Sequence, residues 1–213
     1  MVIGVFGLPG MGKTTFLTKC ARKALNGKSY MGVKPHSKVF TNFASPGCYK
    51  LDFNKLGVFH YSDCLFLIDE IMLLADCRDF KNFTPELKEF FCMHRHSHND
   101  IVWCSQNYRD VDLKVRNLTQ KYYLLEKSSI LPVSYVKPIT HVLGVEKGEI
   151  SDTYELAAPI SWKFVWRPKY YQYFDSFVSK ELPPPELEMW DTYTPEPKRE
   201  TALSPDPALG ANA

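Results

Sequence analysis

Residues 7–15, Gly7-Leu8-Pro9-Gly10-Met11-Gly12-Lys13-Thr14-Thr15, constrain this chain more than any other stretch. They satisfy G-x-x-x-x-G-K-[ST], follow an apolar run over residues 2–6, and precede a helical pattern over residues 14–26 that Gly27 ends. Strand, glycine loop and helix in that order make a phosphate cradle. The glycines let backbone N–H groups turn inward, and the helix start adds partial positive charge. Gly7, Pro9, Gly10, Met11 and Gly12 form the cradle, Lys13 reaches β and γ phosphates, the Thr14 hydroxyl holds Mg²⁺, and Thr15 serves the α-phosphate side.

The segments that follow predict an α/β fold. Residues 38–43 are rich in β-branched and aromatic side chains and end at Pro46-Gly47, and residues 65–68 form a strand apolar on both faces. Thr84-Pro85-Glu86 opens a helix with an N-cap hydroxyl, proline in the first turn and an acid beside it. A strand over 101–105, a short helix near 111–118 and a strand over 122–125 continue the alternation. The expected architecture is a P-loop NTPase with a mainly parallel sheet between helix layers. Residues 136–145 and 160–166 predict a small β-rich extension on the C-terminal side, with a short helix over 169–178. These elements define a domain over residues 1–180. Residues 181–213 carry Pro183-Pro184-Pro185 and four further prolines, and predict an extended or disordered tail.

Leu65-Phe66-Leu67-Ile68 delivers Asp69 and Glu70 to the carboxyl end of a buried strand, where sheets of this class bind ligands. Asp69 can take an outer-shell place on Mg²⁺, and Glu70 can orient or deprotonate an attacking water. Ser105-Gln106-Asn107 ends the next strand, so Gln106 can sense a γ-phosphate or, equally, cap a loop. Asn54-Lys55-Leu56-Gly57 lacks the aspartate of a guanine-reading N-K-x-D, which favours ATP over GTP. A nucleoside kinase would activate a substrate hydroxyl with the same loop.

Composition narrows the partners. With 26 basic and 24 acidic residues among 213, nucleic-acid binding by bulk charge is excluded, so any DNA contact needs a local patch. Lys19, Arg22, Lys23, Lys28, Lys34 and Lys38 form one cluster and Arg109, Lys114, Arg116 and Lys121 another; each tracks a phosphate backbone or simply faces water. The run Tyr170-Tyr171-x-Tyr173-Phe174, beside Arg167 and Lys169, stacks bases or packs on the sheet. The six cysteines are scattered singly and are expected to be reduced. The most apolar stretch, residues 64–75, is split by Asp69 and Glu70 and falls short of the roughly 20 residues that span a bilayer.

Cys92, His94, His96 and His98 invite a zinc reading, but residues two apart on a helix point about 200° apart, so the four cannot all face one ion unless the helix ends inside the run. Arg95 between them is a candidate arginine finger, supplied within or across subunits, with Arg109 and Arg116 as competitors.

Taken together, these residues resemble the zonular occludens toxin domain family, which includes the assembly ATPases of filamentous phages. The likeness runs over residues 1–180 in order. It rests on the phosphate loop, Val39-x-Thr41-Asn42, Leu67-Ile68-Asp69-Glu70, His94-Arg95-His96 with Asp100-Ile101, Ser105-Gln106-Asn107, and Tyr171-x-x-Phe174-Asp175-Ser176.

The resemblance implies an ATP- and Mg²⁺-dependent motor that drives assembly and export of single-stranded phage DNA at the inner face of the host membrane. It further implies a homo-oligomer, in relatives a hexameric ring, with phage coat or membrane assembly proteins as partners. Carried over by position, Lys13 and Thr14 bind phosphate and metal, Asp69 and Glu70 are the metal-linked acid and the base, Gln106 is the sensor, and Arg95 is the finger. Family members continue into a transmembrane helix and an outer-side domain, whereas this chain ends in its proline-rich tail. The expectation is that a partner supplies the anchor or that none is needed. A general DNA translocase and a weakly hydrolysing assembly adaptor remain as alternatives.

Overall fold

The computed structural model describes residues 1–75, 84–141, 144–146, 149–151 and 154–174. The chain divides into two compact units, Met1–Phe177 and Val178–Ala213. The second, which holds the expected tail, lies outside the described residues.

Strand β1 (Val2–Phe6) leads through the glycine loop into helix α1 (Lys13–Leu25). Strands β2 (Lys38–Thr41), β3 (Tyr49–Lys50) and β4 (Cys64–Ile68) follow. Helix α2 (Pro85–Met93), strand β5 (Asp100–Ser105), helix α3 (Leu113–Leu118) and strand β6 (Lys121–Lys127) complete the alternation. In α2 the Thr84 hydroxyl accepts from Leu87 N at 3.2 Å, the cap that Thr84-Pro85-Glu86 predicts.

The neighbours run β3-β2-β4-β5-β1-β6, all parallel. Strand β7 (Val133–His141) turns back antiparallel on β6, and β10 (Tyr154–Leu156) and β11 (Lys163–Trp166) both pair with β7. A separate hairpin joins β8 (Gly144–Glu146) to β9 (Glu149–Ser151). The β-rich extension is therefore continuous with the parallel sheet. The helix expected over 169–178 is instead a 3₁₀ helix, Arg167–Tyr173. Pro168 has no N–H to continue the strand and favours a first helical turn, Tyr170 anchors the segment in the core, and residues beyond 174 lie outside the described ones.

Side-chain alternation builds a core on each face. Phe66, Ile68, Ile101 and Trp103 pack under Phe90 and Phe91 of α2 and Val115 of α3. Ile3, Val5, Leu65, Leu67 and Val102 pack under Phe16, Leu17 and Ala21 of α1, together with Val165 and Tyr170. The central strands are buried on both sides, which is why β1, β4 and the middle of β5 read as apolar runs.

Gly4 is required by close approach. Its register partners are Trp103 and Tyr122, and a Cβ there would lie 2.5 Å from Trp103 Cζ2 and 2.9 Å from Tyr122 Cδ1. The two rings meet edge-on over this gap, with centroids 6.2 Å apart.

At the amino ends of the strands, Asp100 accepts from Lys34 N and pairs with His36 Nε2, both at 3.0 Å, and with the Met1 amino group. Burial works against its charge, yet these partners outweigh burial and hold the carboxyl at about 2.

The Gly4→Ala substitution is expected to overpack the sheet and cost about 1–3 kcal/mol in urea unfolding. An unchanged midpoint would show that the ring pair yields freely.

Candidate active site

The parallel strands bring three sequence-predicted segments to one rim of the sheet. The glycine loop follows β1, Asp69 and Glu70 follow β4, and Gln106 follows β5. Gly7 N donates to Ser105 O at 3.2 Å, which ties the loop to the end of β5.

The loop curls through Gly10 and Gly12, with φ of +77° and +94°. Helix α1 starts at Gly12 with no side-chain cap and no acid in its first turn. Its first N–H groups thus lack the side-chain acceptor that most helix starts carry, and they face the loop where an anion can serve.

Lys13 is buried, donates to Gly7 O at 2.9 Å and pairs with Glu70 Oε1 at 3.2 Å. The Thr14 hydroxyl donates to Asp69 Oδ2 at 2.5 Å. Burial raises the Asp69 carboxyl, and the neighbouring Glu70 charge adds to this; the Thr14 bond and Lys13 oppose it without cancelling it. A raised carboxyl beside a hydroxyl is one that a divalent cation would stabilise in its charged form. Asp69 Oδ1 and Glu70 Oε2 are both buried without a hydrogen-bond partner among the described residues. Thr14 and Asp69 are therefore fitted to hold Mg²⁺, and Glu70 has a free acceptor for a water.

Glu70 has a left-handed backbone, φ +52° and ψ +69°, costing about 1–2 kcal/mol for a non-glycine residue. The turn is held by Asn42, whose amide donates to Asp69 O at 2.7 Å while its oxygen accepts from Asp69 N at 2.8 Å. Gln106 Nε2 approaches Glu70 Oε1 at 3.5 Å, so the sensor candidate touches the base candidate. Thr15 is buried at the start of α1.

Two further residues steady the loop from the other side. Ser134 on β7 donates to Met11 O at 2.7 Å, and Lys127 N lies 3.3 Å from Met11 Sδ. Neither Asn42 nor Ser134 follows from the phosphate-loop pattern. Asn42 carries a signal only as part of Val39-x-Thr41-Asn42, and Ser134 carries none.

The arginines separate. Arg95 is exposed between α2 and β5 at the amino ends of the strands, one strand length or ~17 Å from the loop within the chain. Arg109 is exposed in the turn after Gln106, while the Arg116 guanidinium covers the Tyr108 ring at 4.6 Å. His94 is buried and its Nδ1 pairs with Phe91 O at 2.6 Å, whereas His96 and His98 are exposed. No group of three metal-ligating side chains occurs among the described residues. A cavity of about 710 Å³ lined by His94, Arg95 and Thr119 opens on that opposite rim, away from the loop and acids. In the first basic cluster, Lys19 donates to Phe164 O at 2.9 Å, and Arg22 bonds Pro46 O and stacks on Tyr173, so both have structural uses. Of the aromatic run, Tyr170 is buried in the core and Tyr173 and Phe174 pack partly against it, whereas Tyr171 is exposed.

The zonular occludens toxin (Zot) family profile matches residues 33–176. The chain belongs to that family. The match begins beyond the phosphate loop, so the loop stands on its own sequence and geometry. No curated protein matches this Zot-family chain. Among solved structures, it is similar to the N-terminal domain of zonular occludens toxin from Neisseria meningitidis at 17% identity and a TM-score of 0.49, covering 82% of this chain and 98% of that one. It is also similar to B204, the DNA-packaging ATPase from Sulfolobus Turreted Icosahedral Virus, at 13% identity and a TM-score of 0.44, covering 61% and 77%. B204 from Sulfolobus turreted icosahedral virus 2, in complex with ATP-gammaS, gives 11% identity and a TM-score of 0.44, covering 75% and 97%.

Asn42→Ala in the Zot-family chain removes two bonds to the Asp69 backbone and is expected to lower stability by about 1–3 kcal/mol in denaturant titration. A loss within experimental error would mean that the Glu70 turn holds without the clamp.

Proposed function

We propose that this Zot-family chain is a Mg²⁺-dependent ATPase motor for filamentous phage assembly, acting on single-stranded DNA at the inner face of the host membrane. The observation that carries the reading is the meeting of Lys13 with Glu70 and of Thr14 with Asp69 at a helix start without a cap. Lys13 exchanges its Gly7 and Glu70 partners for β and γ phosphate oxygens. Thr14 and Asp69 would hold the metal, whose charge would offset that of the phosphates when bound. Glu70, released from Lys13, orients the attacking water, and Gln106 links its position to the end of β5.

The hydrolytic reading is favoured over a kinase because Glu70 stands beside the metal acid with one oxygen unpartnered among the described residues. Family membership supports the phage setting, a homo-oligomer such as a hexameric ring, and coat or membrane proteins as partners. In such a ring Arg95 would serve a neighbour's site, because its own lies at the other rim. No helix among the described residues is long and apolar enough to cross a membrane.

Phosphate release from Mg-ATP, with and without single-stranded DNA, tests the proposal. Wild type is expected to hydrolyse ATP faster with DNA, Lys13→Ala to fall to background, and Glu70→Gln to bind ATP yet turn over ~10²-fold slower or less. Release by wild type no greater than by Lys13→Ala, under both conditions, would overturn the motor. Wild-type turnover in Glu70→Gln would remove Glu70 as the base.

A further inference from the structure

The phosphate loop has two flanks, and only one carries the acids. β1 lies between β5 and β6; Asp69 and Glu70 follow β4, beyond β5. On the other side, β6 pairs with β7, and β11 pairs with β7 in turn. Because β7 is antiparallel to β6, its first residues lie at the carboxyl end of β6, on the loop's rim. Lys127 pairs there with Ser134, and Trp166 pairs with Val133.

Arg167 follows Trp166 directly, with its backbone N–H donating to Pro132 O at 3.0 Å. Its side chain runs to the loop itself. A Cβ built on Gly12 would lie 2.6 Å from Ser134 Oγ and 3.3 Å from Arg167 Cδ. Gly12 is the residue before Lys13, so the guanidinium departs from a point in contact with the loop's last turn. Arg167 Nε is buried and has no hydrogen-bond partner among the described residues.

A guanidinium keeps its charge at any ordinary pH, and a buried N–H without an acceptor is costly. Further along β11, Lys19 donates to Phe164 O and feels the charges of Lys163 and Lys169, so this flank carries basic side chains. An anion is the missing partner.

A nucleotide spanning the loop supplies one. With metal and water on the Asp69 and Glu70 flank, the γ end lies there, and the α-phosphate and nucleoside lie toward β6, β7 and β11. We propose that Arg167 is a nucleotide-binding residue, acting in the same chain as the phosphate loop, that contacts the α-phosphate of a bound nucleotide. The planar fork of Arg matches two phosphate oxygens, which an ammonium does not. This inference rests on the nucleotide reading of the loop. It assigns Arg167 a ground-state binding role, distinct from a finger that meets the γ-phosphate in the transition state.

Equilibrium binding of Mg-ADP and Mg-ATP to the full chain, by calorimetry, tests the assignment. Arg167→Ala is expected to weaken both nucleotides by the same factor, tenfold or more, and Arg167→Lys to weaken both by less. The thermal midpoint checks that each variant is folded, and Arg167→Lys carries the test if the alanine variant is not. Loss confined to ATP would place Arg167 at the γ end and overturn the proposal. Unchanged affinity for both nucleotides would also overturn it. Failure of the wild type to bind either nucleotide would instead defeat the reading of the loop, and this proposal with it.

Discussion

Helix α1 begins without a cap of its own, and the rim of the sheet is organised around that omission. Most helix starts satisfy their first N–H groups with a serine, threonine or acid. Here Gly12 occupies the cap in a left-handed conformation, with no acid in the first turn. The loop before it is pinned at Gly7 by β5 and at Met11 by Ser134. A helix start held open in this way concentrates partial positive charge where Lys13 already sits.

The acids answer that charge at short range. Thr14 bonds to Asp69 and Lys13 to Glu70, so the two segments close on each other across the end of β5. Both carboxylates retain one buried oxygen without a partner among the described residues, and the Glu70 backbone is left-handed. Two hydrogen bonds from Asn42 to Asp69 offset that conformational cost and transmit the position of β2 to the acids. The closure is thus a set of exchangeable bonds, each of which a phosphate, a cation or a water can replace.

Much of this was legible in the sequence because the central strands are buried on both faces. Residues 2–6, 65–68 and 101–105 read as apolar runs, and the loop and acid segments sit immediately after them. Thr84-Pro85-Glu86 named its helix start because capping is local chemistry. What escaped was long-range. Ser134 and Arg167 reach the loop only through the antiparallel return of β7 and its pairing with β11, and no spacing in the chain encodes that approach. The 3₁₀ helix Arg167–Tyr173 likewise depends on Tyr170 finding a place under the sheet rather than on an α-helical pattern. Arg95 was legible as a motif, but its position on the opposite rim depends on strand direction.

The central claim is that the open start of α1 is a nucleotide-phosphate site. Amide hydrogen exchange over residues 7–15, with and without Mg-ATP, tests it most directly, because those N–H groups are the donors in question. The account predicts that exchange slows across residues 10–15 on adding Mg-ATP, and that the Lys13→Ala chain shows no such protection. Identical exchange in the wild type with and without Mg-ATP at saturating concentration would contradict it.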